Sequence, residues 1–306
     1  MAKRLFIAAT LLIVALALNG CSPGPAKTVS LHKTDATTAV KDKSAGKVPL
    51  RVAVSSILSP KETLTVYQPA VEYMEDKLGH PVVLLQRKTY KEVNDLVQSG
   101  GADVAFVCSG GYVAGSDTFG MELLALPVVK GDTRYQSYII ARNREAKSIL
   151  DLRGRSFAFT DPMSFSGRIA PVHMLTSHGV DSDRFFSRTF YTYSHDNAIR
   201  AVADGIADAA AVDSMIFDRA AEMEPDLGKR VYIIDKSLRV GNPPVVVNPA
   251  IDAGLKQRLR DVLLAMHGDE KGRKALKALS YDKFVMADDE YYAELKTLWR
   301  ATKEKL

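Results

Sequence analysis

The chain has 306 residues, with 41 Lys and Arg against 36 Asp and Glu, 46% hydrophobic residues, two cysteines and one tryptophan. That length and mixture exclude a disulfide-stapled miniature scaffold and a disordered chain, and supply about two domains' worth of sequence. The net charge of +5 sits at the N-terminal end: Lys3, Arg4 and the five lysines of residues 22–48 carry it, leaving residues 49–306 with 34 basic and 34 acidic side chains. Nucleic-acid binding, which needs a basic face on the folded body, is therefore not expected.

Lys3 and Arg4 precede an apolar run, Leu5 to Leu18, that ends in Leu18-Asn19-Gly20-Cys21. The run is shorter than the ~20 residues that cross a bilayer core, and a basic flank before an apolar centre is a secretory signal pattern. The Leu-x-Gly-Cys ending resembles the lipobox of bacterial lipoproteins, in which the cysteine becomes the lipidated first residue. This resemblance implies a signal peptide over 1–20, acylation (palmitate and related chains) at Cys21, and a protein held on a membrane of the cell envelope, facing the periplasm or exterior. A cleaved signal with an incidental cysteine is the alternative. Each buried acyl methylene adds about 0.8 kcal/mol, so several chains on one residue anchor far better than one. Residues 22–48, rich in Ser, Thr, Pro, Ala, Gly and Lys without period, read as a tether.

The texture changes at Leu50. Strands are expected at 50–54, 82–85, 103–107, 137–141, 156–159, 208–212, 231–234 and 245–247, and helices over 62–78, 91–98, 167–178, 196–204, 214–223, 252–266, 270–278 and 288–302. This alternation makes the fold class α/β. Cys108 follows the apolar run Val104–Val107 and reads as a buried, inert thiol. The stripe of Tyr291, Tyr292, Leu295 and Leu298 or Trp299 reads as a face that docks on the chain's own core.

Two segments are written alike. Thr89 to Val107 and Ser194 to Val212 each open with a hydroxyl residue suited to a helix N-cap, run through a short helix to a glycine, and pass through Ala-Asp into an apolar strand. Thr89 with Glu92 has the spacing of a capping box. Such a repeat suggests two similar α/β lobes.

Ser164 and Ser166, with Phe165 between them, precede Gly167 and a helical stretch. A helix start offers unpaired amides and the positive end of the dipole, hydroxyls add donors, and glycine admits close approach, so the pattern suits an oxyanion. Ordinary capping without a ligand is the alternative. Ser109 and Asp213, after the strands at 103–107 and 208–212, lie at strand ends where clefts of open α/β sheets form.

Taken together, Gly-Gly-Ala-Asp-Val-Ala-Phe at 100–106, Asp-Leu-Arg-Gly-Arg-Ser-Phe-Ala-Phe at 151–159, Asp161-Pro-Met-Ser-Phe-Ser-Gly167, Ser194-His195-Asp196-Asn197-Ala198 and Asn242-Pro-Pro-Val-Val-Val resemble the phosphate-, phosphite- and phosphonate-binding proteins of ABC importers. The resemblance implies a two-lobed type II periplasmic binding protein fold, each lobe a mixed sheet flanked by helices, joined by two hinge strands. The crossings would lie near 135–141 and 240–247. Lobe one would combine 49–136 with 246–306, and lobe two would hold 137–245. It further implies a small oxyanion closed between the lobes, with Tyr90 donating from one lobe and His195 from the other. By themselves, a tyrosine at a helix start reads as packing and a lone histidine as a cap or filler.

Where aminophosphonate binders of this family place a tyrosine, this chain has Val107, and where they place an acid before the second crossing it has Asn242-Pro243-Pro244. The expected ligand is accordingly an oxyanion without an amine: phosphate, phosphite or a simple alkylphosphonate. The expected partner is an ABC permease, or a membrane receptor or kinase if the purpose is sensing, and the chain is expected to be monomeric. No cofactor and no metal are expected: the six histidines are scattered, and no Gly-x-Ser-x-Gly, Walker, Gly-x-Gly-x-x-Gly or His-Glu-x-x-His motif is present. Catalysis is not expected.

Overall fold

The computed structural model describes residues 48–302. The signal stretch, Cys21 and nearly all of the tether lie outside the described residues. Two mixed sheets, each covered by helices, make up the described chain.

The first sheet contains β1 (Leu50–Val54), β2 (Val82–Gln86), β3 (Val104–Phe106), β4 (Glu122–Val128), β10 (Val245–Val247) and β11 (Lys283–Val285), in the order β11-β4-β10-β3-β1-β2. β1 runs parallel to β2 and β3, and β10 runs antiparallel to β3 and β4. Side chains alternate across it as the two-residue period requires. Val52, Val54, Val104, Phe106, Val245 and Val247 enter one core, and Ala53, Ala105 and Val246 enter the other. The first core packs on α1 (Pro60–Leu78), and the second on α2 (Tyr90–Gln98) and α3 (Ser109–Phe119).

The second sheet contains β5 (Arg134–Ala141), β6 (Ser156–Phe159), β7 (Arg188–Tyr191), β8 (Ala209–Asp213) and β9 (Tyr232–Gly241), in the order β7-β6-β8-β5-β9. Its helices are α4 (Ala170–Thr176), α5 (Ser182–Phe185), α6 (His195–Ala203) and α7 (Ser214–Met223). The chain returns to the first sheet's unit with α8 (Ala253–Ala265), α9 (Glu270–Leu279) and α10 (Ala293–Thr302). Tyr292, Leu295 and Leu298 are buried in the first unit's second core, as the aromatic stripe predicts.

Most sequence-read elements appear within a few residues of their expected bounds. Three strands and two helices do not follow from the sequence, one of the helices being the four-residue α5. β7 and β11 are four and three residues long, too short to show a period, and β4 contains Pro127. Helix α3 carries Gly110, Gly111 and Gly115, which lower intrinsic helicity by roughly 1 kcal/mol each. Its glycines answer to packing: a Cβ at Gly115 would meet the Met121 side chain, and a Cβ at Gly110 would lie 2.1 Å from the Met163 carbonyl oxygen. The expected helix 167–178 is a π-type turn, Phe165–Ile169, leading into α4.

The chain passes between the sheets at 129–133 and again at 242–244. Arg134–Ala141 lies entirely in the second sheet, so the first passage falls before the expected 135–141. Asn242 binds the two passages together. Its amide donates to the Thr133 carbonyl, its Nδ2 to the carbonyls of Pro127 and Asp132, and its own carbonyl accepts the Tyr292 hydroxyl at 2.6 Å. Further bonds span the two units. The His195 amide donates to Ile57 O at 2.9 Å, the Ser59 amide to Asp196 Oδ1 at 2.9 Å, and the Tyr90 amide to Asp161 Oδ2 at 3.1 Å. The units are therefore closed on each other.

Gly110 belongs to the first unit and Met163 to the second, so the 2.1 Å approach is a measure of that closure. Gly110→Ala is predicted to hold the units apart, giving a larger radius of gyration in small-angle scattering with unchanged circular dichroism. An unchanged scattering profile would contradict the closed arrangement.

Candidate functional site

The ends of the strands nearest the passages supply the site. Ser55 follows β1, Cys108 and Ser109 follow β3, Thr160 follows β6, and Asp213 ends β8. These are C-terminal ends of parallel strands, the edge where open α/β sheets collect ligands.

The two similar sequence segments become α2-β3 in one unit and α6-β8 in the other. Tyr90 and His195 occupy the same place in each, the first residue of the helix. The N-caps before them behave differently. Thr89 Oγ1 accepts from the Glu92 amide while Glu92 reaches back to the Thr89 amide, completing the capping box. The Ser194 side chain makes no cap bond, and its hydroxyl is buried without a partner.

That hydroxyl is one of a set. Ser55 Oγ, Tyr90 OH, Thr160 Oγ1, Ser166 Oγ and Ser194 Oγ are all buried without a hydrogen-bond partner among the described residues. Two come from the first unit and three from the second, on segments bonded directly across the cleft: Tyr90 to Asp161, and Ile57 to His195. The Tyr90 hydroxyl also lies against Ser164, and Thr160 lies against the turn at Gly167, where a Cβ would fall 1.6 Å from its Oγ1. Leaving a polar group buried and unpaired costs about 1–3 kcal/mol. Five hydroxyls at one cleft thus represent a large unmet demand for acceptor oxygens.

The turn at 164–169 shows how much of the Ser-x-Ser-Gly pattern is capping. Ser164 Oγ accepts from the Gly167 amide at 3.0 Å, and the Ser164 carbonyl accepts from Arg168 and Ile169. Ser164 is thus a cap whose hydroxyl also lies against that of Tyr90. The Phe165 ring is fully buried against Tyr135, centroids 5.6 Å apart, so the side chain anchors the turn. Of the first two amides of the turn, that of Phe165 is bonded to the Cys108 sulfur and that of Ser166 has no intrahelical acceptor.

His195 is 1% exposed, and burial drives its pKa down to about 3. The Asp213 amide donates to Nδ1 at 3.0 Å, which fixes the neutral ring as the Nε2–H tautomer. The ring is thus a donor that does not titrate near neutrality. Burial pushes the Asp213 carboxyl up to about 7, against the Met215 and Ile216 amides that favour its charged form. Its Oδ1 accepts both amides and caps α7.

Of the expected residues, Tyr90, Ser164, Ser166, Gly167, His195 and Asp213 gather at the cleft, with Phe165 contributing backbone. Ser109 departs from the expectation: its hydroxyl donates to the Gly241 carbonyl at 2.7 Å, tying β3 to the second passage. Ser55, Thr160 and Ser194 escaped the sequence reading; their positions at strand ends and at the repeated N-cap are shared by Ser109 and Thr89, whose hydroxyls are spent. Asp161, also unforeseen, joins Tyr90 to the serine turn through its two oxygens. The Cys108 thiol is buried, and burial raises its pKa. No cluster of metal-ligating side chains occurs among the described residues.

The family model described as ABC transporter, phosphonate, periplasmic substrate-binding protein matches residues 52–292. The probable ABC transporter phosphite-binding protein PhnD1 of Prochlorococcus marinus (strain MIT 9301) is 22% identical over 182 residues, 55% of this chain and 61% of its own length. Its structure in complex with methylphosphonate superposes with a TM-score of 0.75 at 16% identity, covering 83% of this chain and 98% of that one. The phosphonates-binding periplasmic protein of Escherichia coli K12 is 22% identical over 246 residues, 78% of this chain and 72% of its own length. A binding-protein component of an ABC phosphonate transporter from Pseudomonas aeruginosa has the same fold, with a TM-score of 0.78, 22% identity, and coverage of 84% and 87% of the two chains. With four-fifths of its length matched by the family model, the chain belongs to the phosphonate-type periplasmic substrate-binding proteins of ABC transporters.

Proposed function

We infer that this protein captures a small tetrahedral oxyanion, of the phosphonate, phosphite or phosphate type and without an amine, and delivers it to an ABC permease. The observation that carries this reading is the set of five buried, unpartnered hydroxyls shared between two closed units. A phosphonate's three oxygens accept from several donors at once. The donors would be hydroxyls, the Ser166 amide and a neutral imidazole, so that the anion is balanced by fixed dipoles. The absence of an amine is argued from residue 242, a neutral asparagine where aminophosphonate binders of the family place an acid, so that an ammonium would find no charge-assisted partner there. It also follows from Asp213, whose Oδ1 is committed to α7. Ser166, Ser194, Ser55, Thr160, Tyr90 and His195 would hold the oxyanion, with the two lobes, divided at the passages 129–133 and 242–244, closing on it. Acylation of Cys21 would keep the protein beside its permease as a monomer.

A thermal-shift and calorimetry series with phosphate, phosphite, methylphosphonate, aminoethylphosphonate and sulfate tests this reading. A true ligand at a hundredfold excess over its Kd raises apparent stability by about 2.7 kcal/mol. Tight binding of aminoethylphosphonate without binding of the first three would contradict it. Ser166→Ala and Ser194→Ala are each predicted to weaken binding about tenfold or more while leaving the free protein as stable or up to ~1 kcal/mol more stable, since each removes an unpaired hydroxyl. Loss of stability with unchanged affinity would make these hydroxyls structural.

The pH dependence has a definite sign. Asp213 has a raised pKa, so its contribution to stability is present below 3.8 and is lost as pH rises through about 7. A neutral carboxyl tolerates a neighbouring anion and an ionised one repels it. Affinity should therefore fall more steeply above pH 7 in the parent than in Asp213→Asn; parallel calorimetric profiles would place the ligand away from Asp213. His195, lowered to about 3, has the opposite sign: its stabilising share is lost as pH falls from 6.5 through about 3.

For the anchor, Cys21→Ser is predicted to move the protein from the membrane to the soluble fraction and abolish labelling by radioactive palmitate. Unchanged partitioning would refute acylation at Cys21.

A further inference from the structure

Beside the hydroxyl cage, and sharing Ile57, Tyr135 and Asp213 with it, lies a cavity of about 360 Å³. The junction is well defined. The Ile57 side chain packs on Tyr90 and Cys108, its carbonyl accepts the His195 amide, and the Tyr135 hydroxyl stands 4.0 Å from Cys108 Sγ. Asp213 binds His195 on the cage side through its amide and borders the cavity on the other.

The volume is about twelve times the ~30 Å³ that one water occupies in the liquid, and it falls within the roughly 300–1,000 Å³ range of sites that enclose an organic ligand. Inorganic phosphate, phosphite and methylphosphonate would leave it almost empty. Its inner wall is apolar and aromatic: Leu58, Val66, Tyr67, Ile216 and Tyr281. The Tyr67 and Tyr281 hydroxyls face each other. The charged groups of its rim are largely spent on one another or on backbone: Arg239 on Asp132 at 2.5 Å, Lys130 on Glu222 at 2.7 Å, and Arg219 on the Ala278 carbonyl at 2.6 Å. The inner wall thus offers apolar surface and aromatic faces, while the carboxyls of Asp213 and Asp218, both in the lining, disfavour a second anionic group.

The groove on the opposite side of the cage, about 320 Å³, is bordered by Arg87 and Lys88, with Lys88 lying over the Tyr193 ring. It has one ring in its wall where the cavity has Tyr67, Tyr135, Tyr138 and Tyr281.

We propose that this cavity is a second subsite that receives the organic substituent of the ligand, and that the substrate class is an organophosphonate with an uncharged aromatic or branched apolar substituent. The proposal rests on the oxyanion reading of the cage. The cage would hold the phosphonate head, and the bond from phosphorus to carbon would point past Asp213 toward Tyr67, Ile216 and Tyr281. Selectivity among phosphonates would then be set by Val66 and Ile216, residues of α1 and α7 that both line the cavity.

The test is calorimetric titration of the full chain with methylphosphonate and phenylphosphonate, in the parent and in the cavity-filling variants Val66→Phe and Ile216→Phe. Phenylphosphonate should bind about tenfold or more tightly than methylphosphonate, the return on burying one ring. Each variant that retains the parent's circular dichroism should lose about tenfold in phenylphosphonate affinity, its added ring occupying the same space, while methylphosphonate affinity stays within about twofold. Two substitutions on different helices keep the test open if one fails to fold. Methylphosphonate binding with no preference for phenylphosphonate would overturn the subsite and leave the cage reading standing. A phenylphosphonate preference that survives both variants would place the ring elsewhere and overturn it as well. Binding of neither phosphonate would overturn the cage reading, and the subsite with it.

Discussion

A closed cleft that holds five buried hydroxyls without partners is the constraint from which the rest of this structure follows. Protein interiors pair their polar groups, because each unpaired one costs about 1–3 kcal/mol. Here Ser55, Tyr90, Thr160, Ser166 and Ser194 break that rule together and at one place. The Tyr90 hydroxyl lies against that of Ser164, and two acids stand nearby: Asp161, which accepts the Tyr90 amide, and Asp213, whose pKa burial raises to about 7 and whose Oδ1 caps a helix. On the proposed reading an acceptor-rich guest completes this site, its charge met by neutral donors and not by a cation.

The fold earns this geometry through duplication. Two α/β units each bring strand ends to the same seam, and in each the first residue of an equivalent helix, Tyr90 or His195, projects into it. The three bonds across the cleft are of one kind. His195 gives its amide to Ile57, and the amides of Ser59 and Tyr90, both at helix starts, are taken by Asp196 and Asp161. Closure thus satisfies backbone donors that opening would return to water, which leaves the balance between open and closed to be tipped by the guest. Asn242 fastens the two passages to each other, so the units move about a common seam.

Much of this was legible in the sequence, for reasons that differ by residue. The alternating texture gave the α/β class, and the likeness of Thr89–Val107 to Ser194–Val212 gave the two units, because buried strands and capped helices leave local marks. The Ser-x-Ser-Gly turn and His195 were found as well. What stayed hidden depends on partners distant in the chain. Helix α3 exists because Met121 and Met163 approach its glycines, against its own propensity. Ser109 and Ser55 are both serines just after a strand, yet Gly241 takes the hydroxyl of one and nothing takes that of the other. The same holds for Thr89 and Ser194, one spent on its own helix and the other left unspent. No local pattern separates a serine that has found an acceptor from one that has not.

The most direct measurement is a crystal structure of the protein with methylphosphonate. The account predicts phosphonate oxygens within hydrogen-bond distance of Ser55 and Tyr90 from one unit and of Thr160, Ser166 and Ser194 from the other, with His195 Nε2 donating as well. A phosphonate seated elsewhere, with those five hydroxyls still unpaired or bridged to one another by water, would contradict it.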